Sequence, residues 1–87
     1  MTLGANAIVQ AEFTIYPFVE GMAPPPHVQS AIDAIQALGI EVTVGPLSNT
    51  IVGQVGPVLA AITAAEGAAL SAGASRFVLN LEPAERR

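Results

Sequence analysis

The chain has 87 residues, 52% of them hydrophobic and only 11% charged. Seven carboxylates stand against three arginines and no lysine, a net charge of −4, so the clustered cations that neutralise a phosphate backbone are missing and no nucleic acid is expected as a partner. The absence of cysteine removes disulfide and thiolate chemistry.

A chain this short is read as one domain over residues 1–87, burying only about two-thirds of its unfolded surface. Its high apolar fraction would leave much hydrophobic surface in water, so self-association is expected. No stretch approaches the roughly 20 apolar residues of a membrane span. The N-terminus lacks a basic lead and an unbroken apolar segment before a cleavage site, and a cytoplasmic location without membrane attachment is the default expectation.

The first element is the most informative. Residues 7 to 18, AIVQAEFTIYPF, alternate as a strand, with Val9, Ala11, Phe13 and Ile15 on one face and Gln10, Glu12, Thr14 and Tyr16 on the other. A strand with a carboxylate, an amide and hydroxyls along one side aims them at water, a subunit or a small ligand. Gly21 to Pro26 then reads as a loop, with Pro25 or Pro26 suited to a first helical turn. Val28, Ala31, Ile32, Ile35 and Leu38 recur at helical spacing, and Gly39 closes that helix.

Ile40 to Val44 alternates as a short strand, Gly45-Pro46 breaks it, and Thr50 to Gln54 forms the return strand. Gly56-Pro57 opens a second helix, with Val58, Ile62, Ala65 and Ala69 on one side and Gly73 beyond its end. Gly67 inside that helix costs about 1 kcal/mol relative to alanine, which predicts close packing against a neighbour or a kink. Arg76 to Glu82 is a fourth strand with Phe77, Leu79 and Leu81 on one face and Asn80 on the other.

Strand, helix, strand, strand, helix, strand is the order of an α+β, ferredoxin-like βαββαβ sandwich: a four-stranded antiparallel sheet with both helices on one face. Two right-handed crossovers place the first and third strands in the centre. The opposite face is left bare, and Glu12, Thr14, Tyr16, Thr50 and Asn80 are predicted there among apolar Ile8, Val52 and Val78.

Glu12 leads the candidate site, because a carboxylate in mid-strand needs a partner and suits an amino group or ring nitrogen. A solvated face or an intersubunit hydrogen bond would account for it equally. Tyr16 and Phe18 could wall a flat heterocycle, although aromatic residues at a strand end also serve core or interface. Ser48, Asn49 and Thr50 form a turn able to ring a ligand with neutral donors and acceptors, yet such residues also bond their own backbone.

Catalytic and metal readings are weak. His27, the only histidine, is expected as an exposed residue of the first helical turn. A lone histidine cannot build a zinc site without other ligands. No motif pairs Ser48 with a base. Asp33 and Glu41 are expected to face solvent. No enzyme activity, metal or cofactor is expected.

The run Ala11 to Pro17, the segment His27 to Gly39 ending in Leu-Gly, and Val42-Thr-Val-Gly-Pro-Leu with Thr50 and Gly53 resemble the thiamine-binding protein family. The likeness extends from about residue 7 to 82, and the closing Glu85-Arg86-Arg87 is similar to the tail of some members. The resemblance implies a ferredoxin-like, non-enzymatic binder of thiamine or its hydroxymethylpyrimidine moiety, acting as a homodimer or homotetramer through its sheets. It places polar first-strand positions at Glu12 and Thr14 and the small-residue turn at Ser48, Asn49 and Thr50. One position departs from the pattern: Val52 precedes Gly53 where many members carry an acid. An aminopyrimidine offers a donor and ring acceptors for a carboxylate and hydroxyls. The acidic chain favours a cationic thiazolium over a phosphorylated form. The rival reading is a structural or regulatory interaction module that oligomerises through the open face without a ligand.

Overall fold

The computed structural model describes residues 7–17 and 23–84. Its elements run β1 (Ile8–Tyr16), α1 (Pro26–Gln36), β2 (Thr43–Val44), β3 (Asn49–Gln54), α2 (Val55–Ser71) and β4 (Arg76–Pro83). They form one antiparallel sheet in the order β2-β3-β1-β4, so β1 and β3 are central, and the fold is the α+β arrangement expected. Phe18 and the Glu85–Arg87 tail, on which a second aromatic wall and the tail likeness rest, lie outside the described residues.

The alternation of β1 is realised along its whole length. Val9, Ala11, Phe13 and Ile15 are buried, joined in one core by Ile51 of β3, Ala31 and Ile35 of α1, and Val58, Ala61, Ala65 and Ala69 of α2. The alanines of α2 let that helix lie close to α1 and to the central strands. Phe13, fully buried, stacks on Phe77 with ring centroids 5.4 Å apart and planes 7° from parallel. Burying a side chain of this size contributes about 1.5–3 kcal/mol, so this strand face is the anchor of the fold.

Each helix begins and ends where backbone chemistry directs. Pro26 takes the first turn of α1, where its missing N–H costs no hydrogen bond, and Pro25 is held extended before it. Gly39 stands beyond the other end with φ of +79°, a conformation that glycine adopts without a Cβ clash. Because α1 stops at Gln36, Leu38 falls outside the apolar face it was expected to join and is exposed.

Three further expectations are corrected. The second strand pairs over Thr43 and Val44 alone, while Ile40 and Val42 pack against the core without ladder partners. Gly67 neither packs closely nor kinks the helix: α2 is continuous from Val55 to Ser71, and a Cβ at Gly67 would meet open space. His27 is buried rather than exposed, with its Nε2–H donating to the Pro17 carbonyl at 2.8 Å. That bond ties the start of α1 to the end of β1.

Cross-strand register defines the other sheet face. Residues directly opposite in an antiparallel pair project to the same side. Glu12 faces Thr50 on β3 and Asn80 on β4, and Thr50 faces Thr43 on β2, giving one polar row across all four strands. Neighbouring rows hold Val52, Gln10 and Glu82, then Thr14 and Val78, then Tyr16 and Arg76. Every one of these β1 residues retains exposure while the β1 residues beside it in sequence are buried. Both helices therefore cover the opposite side, and the bare face carries the residues predicted for it.

Candidate functional site

The turn between β2 and β3 decides how this face becomes a site. Gly45 N–H donates to the Ser48 carbonyl at 2.9 Å, closing a two-residue tip of Pro46 and Leu47. A Cβ on Gly45 would come within 2.8 Å of that same carbonyl oxygen, so the turn requires glycine there. The tip reaches over β1. Ser48 Oγ donates to Glu12 Oε2 at 2.8 Å, and Thr14 Oγ1 donates to the Leu47 carbonyl at 3.3 Å.

The first of these bonds joins a hydroxyl to a carboxylate oxygen, the stronger class of side-chain hydrogen bond. Among the described residues nothing bonds Glu12 Oε1, the second oxygen of the carboxylate, which can accept a ligand donor. Glu12 is exposed, whereas Thr14, Tyr16 and Ser48 are half-buried. Glu12, Thr14, Tyr16, Leu47 and Ser48 together line a shallow recess on the bare face. Leu47 is 69% exposed and gives that recess an apolar lip.

A second, more enclosed cleft of about 230 Å³ opens on the other side of the turn, toward the start of α1. Thr14, Leu47 and Ser48 line this cleft too, facing Pro24, Pro25 and Val28. The volume lies just under the roughly 300–1,000 Å³ of pockets that enclose drug-sized ligands. It suits a single ring.

The expected site residues thus divide. Glu12, Thr14, Tyr16 and Ser48 meet around the recess. Asn49 projects to the helix-covered side, opposite Phe13 in register, and lines the cleft while only 6% exposed. Thr50 neighbours Glu12 on the ladder but borders neither hollow.

Arg76 lines neither hollow but is a neighbour of Tyr16 that sequence reasoning missed. Its guanidinium carbon stands 5.0 Å from the centroid of the Tyr16 ring, within the range of a cation–π contact, so one side of that ring is already occupied. Alternation in β4 places Arg76 on the face of Asn80, but only the register brings it opposite Tyr16. Among the described residues no group of three metal-ligating side chains gathers, and no helix is long and apolar enough to cross a membrane.

The chain is similar in structure to several solved proteins. One is a domain of unknown function from Bacillus cereus, 24% identical with a TM-score of 0.68, over 97% of this chain and 82% of that one. Another is a hypothetical protein from Methanocaldococcus jannascii, 25% identical with a TM-score of 0.66, over 93% and 82%. A third, from Thermotoga maritima, is provisionally assigned to thiamine biosynthesis or salvage and is 24% identical with a TM-score of 0.63, over 91% and 84%. No curated protein matches the chain in sequence. The model of the family described as thiamine-binding protein matches residues 11–87, from within the polar strand through the turn and the last strand, and the chain belongs to that family.

Proposed function

We propose that this protein is a cytoplasmic, non-enzymatic binding protein for thiamine or its hydroxymethylpyrimidine moiety, working as a homo-oligomer. The observation that carries this reading is the Glu12–Ser48 hydrogen bond at the floor of a recess shared with Thr14 and Tyr16. Glu12 Oε1 accepts from the exocyclic amino group of the pyrimidine, and the Ser48 and Thr14 oxygens, whose protons go to Glu12 and to the Leu47 carbonyl, keep lone pairs that accept a further ligand donor. The free edge of Tyr16 flanks the flat ring. Family membership supports the ligand class, and the neutral and acidic polar set supports a cationic or uncharged heterocycle.

Titration calorimetry with thiamine and with hydroxymethylpyrimidine tests this directly. Glu12→Ala removes a charged acceptor and is expected to weaken binding by about tenfold or more, since hydrogen bonds to charged groups contribute about 1.5–3 kcal/mol. Equal affinity of parent and variant would rule out the assignment.

A second reading has its own observation. Val52 and Ile8 expose apolar surface on the same bare face, 53% and 41% accessible, where a second copy could cover them. A ligand-free module that associates through this face would sediment as an oligomer and show no heat with either compound.

A further inference from the structure

We infer that β4 is an association strand: it pairs edge to edge, antiparallel, with β4 of a second copy of this chain, about a two-fold axis at Leu79. This rests on the homo-oligomer part of the reading above, names the surface it uses, and leaves the ligand recess untouched. Three observations carry it: an uncovered edge, the direction of its backbone groups, and the placing of its two charges.

The sheet ends on two unlike edges. β2 pairs over two residues and is too short to recruit another strand, whereas β4 runs for eight, and among the described residues no strand lies on its outer side. Between Arg76 and Glu82 it carries no charge. On the helix side of the sheet Leu79 and Leu81 are exposed, although Phe13 and Ala11, their ladder partners on β1, are fully buried. Cover from the helices therefore falls short of β4 beyond Phe77, which still packs on the core. A long apolar edge of this kind is a template for a further strand.

Backbone direction shows which residues would pair. Ala84 N–H donates to the Ile8 carbonyl at 2.9 Å, and the β1–β4 register, continued by one step, sets these two residues opposite each other. Hydrogen-bonded pairs alternate with non-bonded pairs along an antiparallel ladder. Arg76, Val78, Asn80 and Glu82 thus aim their backbone groups at β1, and Phe77, Leu79 and Leu81 aim theirs outward. The bond from Val55 N–H to the Ala7 carbonyl agrees, because it points the odd-numbered residues of β1 toward β3. Pro83 has no N–H to give and ends the outward row.

Charge then sets the register. Arg76 and Glu82 are the only charged residues of β4, and both lie on the bare face, one near each end of the strand. A two-fold axis at Leu79 places Arg76 opposite Glu82 of the partner subunit, and symmetry makes that pair twice. The same register sets Leu79 against its own copy and Phe77 against Leu81 of the partner subunit, so every outward backbone group of the three meets another. Moving the axis by one residue either way leaves both charges without an opposite, and toward Asn80 it also brings Pro83 into the ladder. In the single chain the Arg76 guanidinium lies on the Tyr16 ring, an exposed contact weak enough for the long side chain to turn to a partner carboxylate. The axis stands normal to the sheet, so both bare faces end on one side of a continuous layer and both Glu12 recesses stay open.

Analytical ultracentrifugation of the parent chain, combined with amide hydrogen exchange, tests the pairing. A dimer is expected, in which the Phe77, Leu79 and Leu81 amides exchange about tenfold or more slowly than in dilute, monomeric protein. A dimer that leaves those three amides unprotected associates elsewhere, as through the bare face; it overturns the β4 pairing and leaves the homo-oligomer reading standing. A chain that stays monomeric at millimolar concentration overturns both. The register has its own test in two variants at exposed positions. Arg76→Glu alone and Glu82→Arg alone set like charges opposite each other, and each should self-associate about tenfold more weakly than the parent. Mixed in equal amounts, the two variants should regain the parent's association, because each then meets its opposite. A mixture no tighter than either variant alone overturns the pairing.

Discussion

The two faces of β1 are built from alternate residues of one segment and yet are held by different physics. Val9, Ala11, Phe13 and Ile15 are closed over by both helices, and their position is set by the area they remove from water. On the other face, one residue out of step, Glu12, Thr14 and Tyr16 are held by a few directional contacts to a turn and to a neighbouring strand. The buried face tolerates no loss of volume. The bare face tolerates substitution in stability and concentrates its consequences in binding.

Phe13→Ala should break the comparison hardest. It removes a fully buried ring together with its stacked contact to Phe77, a loss of about 3–5 kcal/mol for a buried aromatic. Urea denaturation should show most of the domain's stability gone, since small domains hold only about 5–15 kcal/mol in all. A midpoint near that of the parent would mean that the core is anchored elsewhere.

Gly45→Ala comes next and links the two faces. Its Cβ would press on the Ser48 carbonyl, so a cost of about 1–3 kcal/mol from overpacking is expected, with the turn displaced from Glu12. The predicted signature is a moderate fall in melting temperature with a disproportionate loss of ligand affinity. Loss of stability with binding retained would show that the turn does not position Ser48.

Gly67→Ala has the opposite sign. The position is exposed, mid-helix and open around its missing Cβ, so alanine should stabilise by about 0.5–1 kcal/mol through a lower backbone entropy cost. A small upward shift in urea midpoint is the check. A destabilised variant would point to an occupant of that helix face in solution.

Ser48→Ala should move stability least, by less than about 0.5 kcal/mol, because the bond to Glu12 is solvent-exposed. It should nevertheless weaken ligand binding in calorimetry. If it unfolds the protein instead, the bare face is structural after all.

Most of the architecture could be read from periodicity. The alternation of β1, the helical spacing of Val28 to Ile35 and the glycines at 39 and 73 each report a local preference that the fold keeps. The errors arose where a non-local partner overrode a local rule. His27 looked solvent-exposed by position in the helix, and a carbonyl ten residues earlier buried it. Asn49 read as one of three turn residues, but its ladder partner Phe13 turned it toward the helices.

Composition and pattern alone determined the order of elements, which side of each strand meets the helices, and that an acid and hydroxyls share the uncovered side, because side-chain direction in strands and helices repeats over two to four residues. Only the tertiary structure decided that Ser48 would grip Glu12 across 36 residues and that Arg76 would lie on Tyr16. Those contacts depend on sheet register and on where a turn folds back. Neither is encoded within one element, because each is fixed by packing the whole sheet against its two helices.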